Sequence, residues 1–298
     1  MTGRIGPKSQ CPYADPLAKT IGAAATGSRW SPVPVPHTHG RHAARCHENV
    51  AMAFNDQHTA QARSFGAAAG QYDRGRPTYP DDAVDWLLPG GARKVLDLGA
   101  GTGQLTRRLV ARGLDVVAVE PSDGMREQFS RALPNLSPLA GSAERIPLTD
   151  NAVDAVLVAQ AWHWVDVERA VPEVARVLSQ GGRLGLIWNI RDERKDWVAQ
   201  LGQIMHQGIE QDMSSTSPRI GPPFGPVERF DVEWTYHLKP KDLLDLVASR
   251  SYVITLPATE RQALDAKVKH LLDTHPALAD EQDIQMPYIA RCWRATLI

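Results

Sequence analysis

Apolar positions fall in blocks of alternating period along this chain, and the blocks predict an ordered series of elements. From Asp56 to Tyr72 the residues read as a helix carried on Ala, Arg and Phe65, and "GRPTYP" leaves it through a turn-rich stretch. "DDAVDWLL" makes a short helix with acids in its first turn, where the helix dipole favours them. Strand and helix signals then alternate. "KVLDLGA", "DVVAVE", "DAVLVAQA" and "RLGLIWNI" read as strands. Between and after them, "GQLTRRLVARG", "PSDGMREQFSRAL", "DVERAVPEVARVLSQGG" and "ERKDWVAQLGQIMHQGIEQ" read as helices, the third with Val167, Val171, Val174 and Leu178 on one face. This βαβα rhythm predicts an α/β fold: a doubly wound, mostly parallel sheet with helices on both faces. After residue 212 the pattern changes. "MSSTSPRIGPPFGP" is a loop, "FDVEWTYHL" alternates as a strand, helices follow at 240–249 and 259–273, and "IQMPYIARCWRATLI" alternates again. These last strands are expected at the end of the sheet, one of them antiparallel, with the helices between them contributing to a lid.

Composition changes that picture only at the N-terminus. Residues 1–51 are rich in Pro, Ala, Gly, His and Arg, without helical or strand periodicity, and carry six basic residues against Asp15 and Glu48. Such a segment buries too little apolar surface to offset its ordering entropy, so a disordered, dispensable tail is expected before a domain over 52–298, with its core at 90–212 and its C-terminal strands and lid helices at 213–298. His37, His39, His42, Cys46 and His47 lie in that tail at spacings that match no metal-ligand pattern, and no metal is expected. The whole chain of 298 residues has a net charge of −1, so the remainder is acidic. That balance points away from nucleic acid, and no apolar run approaches the ~20 residues that span a bilayer. Three scattered cysteines suit a reducing, cytoplasmic setting, and a monomer or homodimer is expected.

The chemistry gathers around "VLDLGAGTGQLT". Glycines after a strand let the backbone approach a ligand closely, but Gly99, Gly101 and Gly103 are not spaced as in a dinucleotide fingerprint. Asp97, just ahead of them, would repel a pyrophosphate and suits a cationic ligand such as S-adenosylmethionine, which has an ammonium, a sulfonium and no phosphate. Glu120, at the tip of the next strand, is placed to accept from two ribose hydroxyls. Blander readings stay open: Asp97 as a helix cap, Glu120 as a solvated strand end.

"VLDLGAGTGQLT", "VVAVEPSDGM", "GSAERIPLTDNAVDAVLVAQAWHW" and "ARVLSQGGRLGLIWN" resemble, in order and spacing over about residues 62–190, the successive motifs of the class I S-adenosylmethionine-dependent methyltransferases of the small-molecule type-11 group. The upstream "YDRGRPTYP" resembles the trans-aconitate-methyltransferase-like branch. The resemblance implies a seven-stranded Rossmann-like sheet and a set of roles. Asp97, Gly99 and Gly101 would contact the methionine moiety, with Gln104 nearby. Glu120 would hold the ribose, Pro121 would pack on the adenine, and Ser142, Ala143 and Glu144 would border its exocyclic amine, although Glu144 also reads as an ordinary exposed charge. Ala159 and Gln160 would close over the methionine end, and Tyr72 and Arg76 would come from the upstream segment, with Arg74 an equal alternative for pairing with the ligand carboxylate.

Methyl transfer from a sulfonium needs chiefly in-line positioning and exclusion of water, and a base only if the acceptor loses a proton during attack. His163 in "QAWHWVD" is the candidate base, with substrate shaping and plain packing as its alternatives. Trp162 and Trp164 would wall an acceptor pocket or sit in the core. Arg250 and Tyr252 in the presumed lid would suit a carboxylate-bearing small acceptor. The competing readings are a cofactor-binding protein without catalysis and a nicotinamide-dependent oxidoreductase.

Overall fold

A computed structural model of the protein describes residues 76–206, 217–250, 253–254 and 256–298. The expected first helix at 56–72, the N-terminal tail, Tyr72, Arg74 and Tyr252 lie outside these residues.

Helix α1 (Asp81–Leu87) starts on two acids and buries Ala83, Val84 and Leu87. Strand β1 (Lys94–Leu98) is buried from Val95 onward, as a central parallel strand covered on both faces must be. Then come α2 (Gln104–Val110), β2 (Asp115–Val119) and α3 (Asp123–Ala132), the last capped by the Ser122 hydroxyl, which accepts from the Met125 N–H. Strand β3 (Val153–Ala159) leads through a single 3₁₀ turn, Trp162–Trp164, into α4 (Val167–Val177), capped by Asp166. Strand β4 (Leu178–Arg191), α5 (Asp196–His206), β5 (Glu228–Leu238), α6 (Pro240–Ala248), α7 (Ala258–Thr274) and β6 (Ile284–Thr296) complete the described elements.

The strand order is β2-β1-β3-β4-β6-β5. Strands β1 to β4 pair in parallel, and β6 runs antiparallel to both β4 and β5. The chain leaves β1 to one side for β2 and returns to the other side for β3, which opens a crevice at the carboxyl ends of β1 and β3. One face of the sheet is covered by α4, whose Val171, Val174 and Val177 pack with Leu96, Val156, Leu184 and Leu186. The other is covered by α1 and α2 through Leu87, Leu105 and Leu109 against Val95, Leu157 and Ile187.

Two expectations are corrected. The described sheet has six strands and is mixed, not seven and mostly parallel. Outside β2, where a seventh strand would pair, a single parallel bridge joins Val119 to Leu139, with Leu139 N–H donating to Ala118 O at 2.8 Å. The helix expected to run to the glycines at 181–182 ends at Val177 instead. Leu178 already pairs with Val153, and the next registered pair is Ala155 with Arg183, so the intervening residues bulge out of the ladder. The C-terminal helices α6 and α7 share a core with α5 and the ends of β5 and β6, built on Leu201, Leu243, Leu246, Val268, Leu271 and Met286.

Candidate functional site

The turn from β1 into α2 is tied to the next strand by its backbone. Gly99 and Ala100 N–H both donate to Val119 O, at 2.8 and 3.1 Å. Gly99 has φ +74, and a Cβ there would lie 3.0 Å from the Ala161 Cβ, so a side chain is excluded twice over. Gly101 has φ +55, and a Cβ there would meet nothing within 4 Å: the loop is open on that side.

Asp97 is fully buried at the root of this loop. Its Oδ2 accepts from the Thr106 hydroxyl at 2.5 Å, whereas Oδ1, equally buried, has no partner. Burial pushes its carboxyl up to about 7; hydrogen bonds from Thr106 oppose the shift and the nearby Glu120 charge adds to it. One oxygen thus holds the Thr106 hydroxyl in the first turn of α2, whose N-cap is Gly103 and not Asp97, and the other is left over. A buried carboxylate oxygen with nothing to accept from is costly unless a donor arrives.

Glu120 is buried rather than solvated. Its Oε2 accepts from Gly101 N–H at 3.0 Å and its Oε1 from Ser122 N–H at 2.9 Å, so it clamps the glycine loop to the exit of β2. Burial raises its carboxyl above the ordinary range, while these two backbone donors hold it down.

Above the loop lies a cleft. Of the residues expected to bind the cofactor, Arg76, Asp97, Gly99, Gly101, Gln104, Ala159 and Gln160 line it together. Glu120, Pro121, Ser142, Ala143 and Glu144 do not. Pro121 is exposed, Ala143 is buried in the core, and Ser142 closes a turn with Arg145 through paired backbone bonds. Glu144 Oε1 accepts from Asp166 N–H at 2.9 Å, and so is not merely an unengaged surface charge.

Sequence reasoning missed several residues of the cleft. Thr102 belongs to the loop itself, its hydroxyl buried without a partner. Asn189 at the end of β4 donates to Thr78 O at 2.8 Å and accepts from the Trp234 indole at 3.2 Å, holding the Pro77–Tyr79 segment over the cleft. Tyr79 and Tyr288 complete its wall. Nothing in the pattern separates these positions from core residues, because their importance comes from distant strands meeting at one edge. Arg76 donates to Ser249 O at 3.3 Å, and Arg250, one residue further, lines the cleft as well.

His163 does not line this cleft. Its Nδ1 faces the Trp188 indole N–H at 3.4 Å, a long contact in which the indole can only donate. The neutral ring therefore carries its proton on Nε2. Trp162 is buried in the core, and the Trp164 ring lies 4.7 Å from that of His163.

A methyltransferase-domain family profile matches residues 96–186, the segment from within β1 through the glycine loop, β2 and β3 to most of β4. A protein from Mycobacterium tuberculosis, named an uncharacterized methyltransferase, is 59% identical over 234 residues, 78% of this chain and 96% of its own length. This chain belongs to the S-adenosylmethionine-dependent methyltransferases. Another uncharacterized methyltransferase, from Schizosaccharomyces pombe, is 33% identical over 72% of this chain and 89% of its own length. A solved structure from Anaeromyxobacter dehalogenans, named for a type II methyltransferase, shares the fold with a TM-score of 0.54 at 21% identity, over 74% of this chain and 97% of that one.

The site residues of this methyltransferase fit the family's cofactor. The unpartnered Asp97 Oδ1 suits the ammonium of S-adenosylmethionine, and the open side of Gly101 leaves room for close approach. Two buried carboxyls at adjacent strand tips disfavour a phosphate. No described helix is long and apolar enough to cross a membrane.

Proposed function

We propose that this methyltransferase binds S-adenosylmethionine on the β1–α2 loop and methylates a small, carboxylate-bearing acceptor in the cleft beside it. The observation that carries the reading is the buried Asp97 Oδ1, unpartnered at the root of an open glycine loop. Asp97 takes the ammonium, and Arg76, which lines the same cleft, takes the ligand carboxylate. Glu120 keeps spare lone pairs after its two backbone bonds and accepts from the ribose hydroxyls. Pro121, Ser142, Ala143 and Glu144 border the adenine. Gln104, Ala159 and Gln160 enclose the methionine end, where Gln160 is held in a left-handed conformation by its N–H bond to Ile187 O at 2.9 Å.

The cofactor supplies a methyl group on a sulfonium that leaves as a neutral thioether. The protein's part is to orient the acceptor in line and to keep water out. Arg250, at the end of α6, meets the acceptor's carboxylate, and α6 and α7 form the lid. His163 is the candidate base; it stands outside the lining of the cleft, so that service would first require its ring to turn and give up the Trp188 contact.

Calorimetry with S-adenosylhomocysteine and with NADH, followed by labelled-methyl transfer into the small-molecule fraction of a cell extract, tests the reading. Binding of S-adenosylhomocysteine alone, together with a labelled product, supports it. Binding of NADH without S-adenosylhomocysteine contradicts it, and binding without any product reduces the protein to a cofactor-binding one.

A further inference from the structure

Tyr288 sits in the middle of β6 and is 1% exposed. Its ring stacks on Trp234 with centroids 5.7 Å apart, and its hydroxyl is shut off from bulk water with no hydrogen-bond partner. A buried tyrosine hydroxyl ordinarily finds a partner, and phenylalanine would give the same stacking without leaving a polar atom stranded. Packing therefore accounts for the ring and not for the oxygen.

Tyr288 lines the same cleft as Asp97, from a different strand of the sheet. Strand β6 is separated from β1 by β3 and β4, three inter-strand steps or about 14 Å across the sheet. Its register partner on β4 is Arg191, two residues beyond Asn189, whose amide is already committed to Thr78 and Trp234. Arg250, outside the glycine loop, lines the cleft as well. A group near Asp97 would meet the cofactor; one three strands away meets what the cofactor reacts with.

We propose that the Tyr288 hydroxyl is a substrate-binding group that hydrogen-bonds an oxygen or nitrogen of the methyl acceptor. The proposal rests on the S-adenosylmethionine reading of the same cleft. It assigns to the acceptor a polar atom that reaches β6 while the reacting atom lies near the loop. The hydroxyl is left unsatisfied until that atom arrives, so a ligand lacking it leaves the oxygen stranded and is rejected.

The test is Tyr288→Phe in the full chain, with three readouts. Melting temperature without ligand should be equal to wild type or higher, because a stranded hydroxyl is removed. Affinity for S-adenosylhomocysteine should stay within about twofold, and labelled-methyl transfer from S-adenosylmethionine into the small-molecule fraction of a cell extract should fall about tenfold or more. Transfer equal to wild type overturns the proposal, as does a parallel loss of S-adenosylhomocysteine affinity, which would give the hydroxyl to the cofactor. The stability comparison repeated with saturating S-adenosylhomocysteine decides independently of any acceptor. An equal rise in melting temperature on binding in variant and wild type supports the proposal, and a smaller rise in the variant refutes it. Wild-type protein that fails to bind S-adenosylhomocysteine at all defeats the functional reading itself, a result distinct from any of these.

Discussion

Asp97 makes cofactor binding pH-dependent, in a direction fixed by its surroundings. Burial holds its carboxyl protonated up to about pH 7 in the ligand-free protein, and only the ionised form pairs with an ammonium. The apparent dissociation constant for S-adenosylhomocysteine is then weakened about twofold at pH 7 and about tenfold at pH 6, relative to its alkaline limit. Each further unit of acid costs about 1.4 kcal/mol. Calorimetry between pH 5.5 and 8, in two buffers of different ionisation enthalpy, also counts protons: about half a proton is released on binding at pH 7 and nearly one at pH 6. Asp97→Asn should bind weakly and without this slope. Glu120→Gln should move the midpoint to lower pH, because the Glu120 charge is one of the effects that raise Asp97. An affinity flat from pH 5.5 to 8, or a slope retained in Asp97→Asn, would refute the assignment. Stability runs the opposite way. The folded-state carboxyl titrates above its unfolded value, so the stability it contributes is complete below about pH 4 and is lost as pH rises through 7. Ligand-free Asp97→Asn should therefore gain on wild type at pH 8, by at most about 4 kcal/mol, with the gap closing toward pH 4.

Other perturbations separate the parts of the site. Glu120→Ala should weaken S-adenosylhomocysteine by ~1–3 kcal/mol in a titration, since it removes both the ribose partner and the clamp on Gly101. Gly99→Ala and Gly101→Ala both put a side chain at a positive φ, but only the first adds a clash with Ala161, so Gly99→Ala should lower the melting temperature more. Comparable stability loss in the two would contradict the loop geometry. His163→Ala should preserve S-adenosylhomocysteine affinity; a drop of ~10²-fold or more in turnover would mark it as the base, and a small drop as a positioning donor.

The parts of the site most legible in the sequence were those whose chemistry is local. Asp97, the glycines and Glu120 fall at strand tips that hydrophobic period alone locates, and the structure brings Asp97 and the loop into one cleft. Alternation located the last two strands, one of which was expected to be antiparallel, and it is β6 that runs against β4. The strand count was not readable, because a stretch that makes one bridge looks no different in outline from one that continues as a strand. Tyr288, Asn189 and Thr102 were not readable either. Tyr288 looks like any core residue of an alternating strand, and its stranded hydroxyl appears only once Trp234 and the cleft are in place around it.

A crystal structure with S-adenosylhomocysteine bound tests the central assignment most directly. The account predicts the ligand's amino nitrogen within ~3 Å of Asp97 Oδ1 and its ribose hydroxyls on Glu120. A ligand lying elsewhere, with Asp97 Oδ1 still unpartnered beneath an empty loop, would contradict it.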